Sequence, residues 1–147
     1  MFAHNTVIEP RRWVARILQE NTDPRFVRSR NGLFLNNLIV LAVADLSTYV
    51  NVGANTSPET FTFGSNAWFA TDQATWSGPT LGSGIPTESG SLVQREPTLV
   101  DRPGGDYRPL AASPLIGAAR ALDFPLPPDF DNRCHQRPAA IGAFAAP

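Results

Sequence analysis

The sequence predicts an all-β fold built by stacking, a solenoid, and three observations support this. The first is an almost continuous apolar run over residues 32–41 with a pair of asparagines in its middle. Strands covered on both faces read as unbroken apolar runs, and a buried amide is tolerated there when neighbouring strands satisfy its hydrogen bonds. The second is that similar segments recur at offsets of 32 and 29 residues. The third is a content of 14 prolines and 11 glycines, which favours turns and short strands over helices.

Two strands are predicted before the central run. The first alternates over residues 2–8 and ends at a turn that contains a proline. Residues 12–20 fit a helical turn or a strand, and a period of two favours the strand, with Trp13, Ala15 and Ile17 on one face.

Turn-forming residues separate the central run from its neighbours. Residues 21–24 predict a turn by composition, and the dipeptide Asn31-Gly32 is the strongest turn signal in the chain. After the run, residues 45–52 and 60–69 are compatible with strands, with a loop between them.

The recurring segments share an asparagine that precedes bulky apolar residues, at Asn5, Asn37 and Asn66. One similar strand per unit at such a period indicates a solenoid, in which each coil buries its apolar face by stacking on the next. The asparagines would then lie ~4.8 Å apart and hydrogen-bond one another as an amide ladder. The alternative interpretation is that asparagine is simply a common turn residue.

We divide the chain into three parts of one domain. Residues 1–70 are expected to form coils, residues 71–105 an irregular loop excursion, and residues 106–147 a final coil and an irregular, proline-rich C-terminal cap. Because the first residues read like the middle of a strand, we expect a domain truncated at its N-terminus. An isolated fragment of this kind is expected to self-associate through its exposed first coil. The longest apolar run, residues 38–44, is too short to span a membrane.

The charged residues exclude several classes of protein. All 12 basic side chains are arginine, which removes Schiff-base chemistry and the phosphate-loop lysine. Residues 9–30 hold six arginines against three acids, and a solvated, ion-paired face is favoured over a patch for an anionic partner. Nucleic acid is not expected as a partner, because the chain has no helix-turn-helix, zinc-finger or ribonucleoprotein pattern.

No metal or cofactor is predicted for this chain. Cys134 is the single cysteine and adjoins His135, but the other histidine, His4, lies at the opposite end of the sequence. Residues 129–132 offer three oxygen-bearing side chains without the glycine and distal glutamate of a calcium-binding EF-hand loop, so we expect an ordinary loop.

The C-terminal part carries four short motifs in a distinctive order. The motifs are Asp106-Tyr107-Arg108-Pro109-Leu110, Ser113-Pro114-Leu115-Ile116-Gly117, Arg137-Pro138 and Ile141-Gly142-Ala143-Phe144, with Asp131 before the third. Together with the coil-like segments at residues 4–7 and 36–40, they resemble the end of secreted right-handed parallel β-helix proteins of the pectin-lyase-like superfamily. The chain departs from the family pattern at Gly117, Ala140 and Ala145, where acidic residues are usual.

The resemblance implies a right-handed parallel β-helix in an extracellular or cell-surface protein. Enzymes of this superfamily act on polysaccharides, usually acidic ones, by calcium-assisted elimination or by hydrolysis between aspartates. None of the family's catalytic motifs can be carried over to this chain. The resemblance thus allows a parent that is a polysaccharide lyase or glycoside hydrolase, with calcium as a cofactor of the parent, and leaves open whether the parent is catalytic. This segment alone is expected to be inactive.

The sequence thus predicts a non-catalytic part of a protein that recognises or processes polysaccharide. Candidate sugar contacts are Arg12 and Arg16 for an acidic sugar, with Trp68 and Trp76 as stacking platforms. The competing interpretation packs the tryptophans inward and pairs Arg16 with Glu20 or a neighbouring coil. Two alternatives stay open, a non-enzymatic β-solenoid adhesin and a two-sheet sandwich with a carbohydrate-binding face.

Overall fold

The computed structural model describes residues 1–21 and 23–147 and consists of parallel sheets stacked as a β-solenoid of about three turns. The predicted all-β class is confirmed, since the helical residues among those described form two single turns of 3₁₀-helix, Val43–Asp45 and Pro58–Thr60. No helix in the described ranges is long and apolar enough to cross a membrane. The turn predicted over residues 21–24 includes residue 22, which lies outside the described residues.

The first two coils each contribute one short strand to each of three sheets, the next coil adds strands to the first and second sheets only, and all strands in these sheets pair in parallel. The first sheet contains β1 (Phe2–Ala3), β4 (Leu33–Leu35) and β7 (Thr62–Gly64). The second sheet contains β2 (Thr6–Ile8), β5 (Leu38–Leu41), β8 (Ala67–Ala70) and β9 (Leu92–Val93). The third sheet contains β3 (Ala15–Ile17) and β6 (Val50–Val52).

The register joins the recurring segments that the sequence singled out. Thr6 pairs with Leu38 and Leu38 pairs with Ala67, so the residues that follow the three asparagines occupy one column. Parallel pairing excludes the two-sheet sandwich, whose sheets are antiparallel.

Strand β5 is buried on both faces, which explains the unbroken apolar run of the sequence. Ile39 and Leu41 point into the solenoid interior, and Leu38 and Val40 pack on the opposite face against the C-terminal segment. Each of these four side chains is at most 1% exposed. The strand therefore needs no polar residue on either side.

The interior of the coils is filled by stacked aromatic and aliphatic side chains. The ring centroids of Phe2 and Phe34 are 5.1 Å apart, and those of Phe34 and Phe63 are 4.9 Å apart. Leu81 and Ile85 of the long loop after β8 pack against the same core. The segment predicted as an irregular excursion thus contributes to the interior, and it contains β9, which adds a strand to the second sheet.

Residues 106–147, expected to form a final coil and cap, begin with β11 (Asp106–Pro109). It pairs antiparallel with β10 (Leu99–Asp101) instead of continuing a parallel sheet. The residues after β11, here called the tail (110–147), lie along the outer face of the second sheet. Leu115, Ala119 and Ile141 form a second hydrophobic cluster there with the outward side chains of β5 and β8.

Candidate functional site

The three asparagines are stacked at the turn between the first and second sheets. Asn5 Nδ2 donates to Asn37 Oδ1 at 3.0 Å, and Asn37 Nδ2 donates to Asn66 Oδ1 at 3.0 Å. Each asparagine follows a residue with positive φ, at His4, Asn36 and Ser65, so the turn repeats one left-handed conformation in all three coils. Asn37 and Asn66 are fully buried.

Glu88 ends this stack, and sequence reasoning missed it. Its carboxylate accepts hydrogen bonds from Asn66 Nδ2 at 2.6 Å, from Trp68 Nε1 at 2.9 Å and from Ser91 Oγ at 2.7 Å. Glu88 lies in a glycine- and proline-rich stretch with no strand periodicity, so no local signal marks it. The carboxylate replaces the amide oxygen that a fourth asparagine would supply.

The structure removes both tryptophans from the candidate sugar contacts. Trp68 is 1% exposed and lies in the interior near Phe34, with its indole N–H committed to Glu88. Trp76 is 8% exposed and packs against Tyr49 at 5.5 Å between ring centroids. A sugar ring needs an accessible aromatic face, and neither side chain presents one. The inward-packing interpretation is the correct one for both.

Arg12 and Arg16 lie together on the surface, braced on Trp13. The guanidinium carbon of Arg12 is 4.5 Å from the centroid of the Trp13 ring, and that of Arg16 is 5.4 Å away. Both arginines are exposed and Trp13 is half-buried. We call these three residues the Arg–Trp–Arg surface. In a cation–π contact the aromatic ring attracts the charged group and holds it in place. This attraction offsets the rotamer freedom that the arginine side chain loses.

Strand geometry orients Arg16 outward. Ala15 packs against the interior and Ile17 is buried, so the alternation of β3 leaves the side chain between them on the outside. Arg16 pairs in register with Asn51 of β6, which places an amide beside the guanidinium on the third sheet.

Neither arginine of this surface forms an ion pair within the described part of the chain, so the pairing of Arg16 with Glu20 is not observed. The adjacent Arg11 behaves differently. Its guanidinium contacts Asp45 at 2.7 Å and Glu9 at 3.7 Å. Arg12 and Arg16 therefore carry positive charges without an acidic partner among the residues that the structure describes, whereas the charge of Arg11 is neutralised by its acidic neighbours.

A groove of about 500 Å³ opens beside the Arg–Trp–Arg surface, between β3 and the first sheet. Its walls are mostly apolar and aromatic, and the exposed side chains of Met1, Phe2 and Leu33 lie along it. Other lining residues include Trp13, Arg16, Gly32, Phe34, Phe61 and Phe63. The arrangement combines a concave apolar surface with cationic groups at its edge, which suits an anionic ligand that has apolar faces.

Several carboxylates accept hydrogen bonds from backbone amides or pair with a neighbouring side chain. Asp72 accepts hydrogen bonds from the amides of Val43 and Ala44, at 2.8 and 2.9 Å, and these bonds lower its pKa. Asp106 is paired with Arg108, whose hydrogen bond lowers the pKa of that carboxyl.

Asp129 organises the loop that was considered as a calcium fragment. Its carboxylate accepts from the amides of Asp131, Arg133 and Ala145 at 2.9, 2.7 and 2.7 Å. Burial acts to raise the pKa of Asp129, but the three amides and the nearby His135 together outweigh it and hold the pKa below its usual value. Within residues 1–21 and 23–147, no group of three or more histidine, cysteine, aspartate or glutamate side chains is arranged to hold a metal ion.

Comparison with protein-family models, with curated proteins and with solved structures found no match to this chain.

Proposed function

We propose that this β-solenoid recognises an acidic polysaccharide through the Arg–Trp–Arg surface and does not act on it chemically. The observation that carries the proposal is that Arg12 and Arg16 share one indole while forming no ion pair among the described residues. A guanidinium binds a carboxylate or sulfate through two parallel N–H···O bonds. Two guanidiniums on one ring suit a ligand with repeated negative charges.

Rigidity of the third sheet supports the same proposal. Arg16 lies on a strand whose neighbours Ala15 and Ile17 are fixed against the interior, and β3 is paired with β6 along its length. A site that is rigid before binding loses less conformational entropy when the ligand arrives. The half-buried indole of Trp13 restricts the two arginine side chains in the same way.

Four carboxylates are already engaged in hydrogen bonds or ion pairs within the protein, and this favours binding of the sugar over its hydrolysis. Hydrolysis of a glycosidic bond needs two carboxylates that flank the sugar, one of them able to protonate the leaving group. Glu88, Asp72, Asp106 and Asp129 are each committed to structural hydrogen bonds or ion pairs. None of these four lines the groove beside the Arg–Trp–Arg surface.

We further propose that the chain is related to the right-handed parallel β-helix proteins of the pectin-lyase-like superfamily and works outside the cell or at its surface. The parallel three-sheet stacking, the stacked asparagines and the motif order of the tail support this relationship. An acidic polysaccharide is a ligand to be expected in that location.

A second candidate is a non-enzymatic solenoid adhesin that binds another protein. The exposed side chains of Met1, Phe2 and Leu33 along the groove favour it, since exposed apolar residues grouped in a concavity often mark protein contacts. The two candidates differ in the effect of removing the arginines, because an apolar protein contact at the groove depends less on charge.

The first proposal is tested by titrating the protein with an oligogalacturonide and with a neutral oligosaccharide of the same length. The double substitution Arg12→Gln/Arg16→Gln is expected to weaken binding of the acidic sugar at least about tenfold, which corresponds to about 1.4 kcal/mol. Binding is also expected to weaken with added salt.

The matched control is Arg95→Gln/Arg133→Gln, which removes two exposed arginines far along the chain and changes the net charge equally. This control should bind the acidic sugar as the unmodified protein does. Equal losses in both double variants would reveal a non-specific charge effect, and equal affinity for the neutral sugar would contradict the proposal.

A further inference from the structure

The two histidines of the chain, far apart in sequence, meet in the folded protein. His4 occupies the turn between β1 and β2, His135 lies in the tail, and their ring centroids are 5.4 Å apart. The Nδ1 atom of each ring is buried and has no hydrogen-bond partner among the described residues. Sequence reasoning did not bring the two rings together, because they lie at opposite ends of the chain.

Asn36 determines which nitrogen of His4 carries the proton. The side chain of Asn36 is fully buried, its Oδ1 accepts from the amide of Arg120 at 2.9 Å, and its Nδ2 donates to the carbonyl of Arg120 at 2.9 Å. This two-point contact fixes the orientation of the amide. The same Nδ2 lies 3.0 Å from His4 Nε2, which must therefore accept the hydrogen bond. His4 is neutral, with its proton on Nδ1.

This tautomer is incompatible with a metal ion bound at Nδ1 of His4. A metal at that atom would displace the proton to Nε2, where two donors, Nε2–H and Asn36 Nδ2–H, would face each other. The relevant ligand of the pair is thus a proton rather than a metal.

We propose that His4 and Asn36 form an acid-sensitive latch between the first two coils and the tail. A second proton on His4 places Nε2–H against Asn36 Nδ2–H, so that Asn36 can no longer serve both His4 and Arg120. It also places a positive charge beside His135. The contacts between Asn36 and tail residues 118–120 and 139–143 weaken as a result.

The groups that face His4 are few and can be named. The tail presents His135, which in turn is near Asp129, and it presents the carbonyl groups of Ala140 and Gly142. The second coil presents Asn36, which does not titrate. Arg120 contributes its backbone, while its side chain is exposed.

The direction of the pH effect follows from this environment. Burial lowers the pKa of His4, the nearby His135 lowers it further, and the two carbonyl groups act in the opposite direction without reversing the result. A histidine whose pKa is depressed by folding stabilises the folded arrangement above its ordinary pKa. That stabilisation is lost as pH falls through the lower pKa of the folded state. The latch is therefore closed at neutral pH and opens in acid.

The test is an NMR titration of the full chain between pH 7.5 and 5, following the amides of Arg120 and Gly142 and the imidazole signals. The Arg120 amide donates to Asn36 Oδ1 and the Gly142 amide to the Asn36 carbonyl, so both report on the latch. Both amide signals are expected to shift with the midpoint of the His4 ring, below the ordinary imidazole value. Amide signals that ignore the His4 titration, or a His4 ring that titrates at or above that value, would overturn the proposal.

Two variants separate the latch from general acid effects. In His4→Gln the side-chain oxygen still accepts from Asn36 but cannot titrate, so the two amides are expected to be flat over the same range. In His135→Gln the ring that lowers the pKa of His4 is gone, and the pKa of His4 is expected to rise. Persistence of the amide transition in His4→Gln would contradict the proposal, and the ring titration of the unmodified protein decides the matter even if that variant does not fold.

Discussion

At the scale of single residues, Asn37 shows why a polar side chain belongs in the interior. Its Oδ1 accepts from the backbone and the side chain of Asn5, both at 3.0 Å. Its Nδ2 donates to Asn66 Oδ1 at 3.0 Å and to the carbonyl of Phe2 at 3.2 Å. Every donor and acceptor of the amide is satisfied, so its burial leaves no polar group without a partner.

Replacing Asn37 with leucine keeps the volume and deletes all four hydrogen bonds. The buried Asn66 and the carbonyl of Phe2 lose a bond each, and the expected destabilisation is about 3 kcal/mol in urea unfolding at pH 7. Asn5→Leu, at the half-exposed end of the stack, should cost less than half as much because water replaces the lost partners. Equal losses, or a neutral Asn37→Leu, would show that the stack contributes no cooperative stability.

Residue spacing predicted the stack of asparagines but not the residues that extend it. Asn5, Asn37 and Asn66 were identified because they repeat along the sequence. Glu88 continues their stack with a different chemical group, and Asn36 acts through contacts with Arg120, 84 residues away. A side chain outside the repeat produces no periodic pattern in the sequence, so Glu88 and Asn36 could be identified only from the structure.

At the scale of elements, the strands are too short to be stable alone and depend on stacking. Those of the first and third sheets have two or three residues, while small isolated sheets are at best marginally stable in water. The rings of Phe34 and Phe63 stack in the interior beside the first sheet, and the exposed ring of Phe2 stacks on that of Phe34. Stacked rings in consecutive coils fix the register of the sheet as well as filling its interior.

Gly64, in the first sheet, lies close to the backbone of Ser89 in the loop that follows β8. It pairs with Leu35 of β4, and a Cβ atom at Gly64 would lie 2.9 Å from the backbone oxygen of Ser89. Since a backbone oxygen cannot rotate away, Gly64→Ala is expected to destabilise the protein by about 1–3 kcal/mol.

Thermal or urea unfolding checks this expectation. Thr62→Ala, an exposed position of the same strand, is the control and should change stability by no more than about 0.5 kcal/mol. A Gly64→Ala variant as stable as this control would mean that Ser89 does not pass as closely as described.

Element prediction was accurate where the pattern was local. The strand at β3 followed from a period of two, although it is shorter than the predicted range. Strand β9, two residues within a segment rich in glycine and proline, carries too little pattern to be found in sequence. The antiparallel pairing of β11 with β10 depends on a short connection between them and not on the coil repeat.

At the scale of the whole molecule, the tail connects successive coils along one side of the solenoid. The amide of Ala143 donates to Thr6 Oγ1, 137 residues away, and the amide of Gly142 donates to the carbonyl of Asn36. Leu115 and Ile141 cover the outward side chains of β5. The tail thus closes the face of the second sheet, and the third sheet keeps an outward side chain, that of Arg16, exposed.

The candidate site was half predicted, for a physical reason. Exposed arginines are easily proposed from sequence, and Arg12 and Arg16 do lie together on the surface. The tryptophans were harder because an aromatic residue suits both a core and a sugar-binding face. Trp68 and Trp76 are in the core, whereas Trp13 lies at the surface as the support of both arginines.

The most direct measurement is an NMR titration of the protein with an oligogalacturonide, following the indole N–H of Trp13 and the guanidinium Nε–H signals of Arg12 and Arg16. We expect these signals and the amide of Asn51 to shift together with one affinity, while the tail and the buried indole of Trp68 stay unchanged. Saturable shifts that leave the three side-chain signals of the Arg–Trp–Arg surface unmoved, or no shifts at all, would contradict acidic-polysaccharide recognition at this surface.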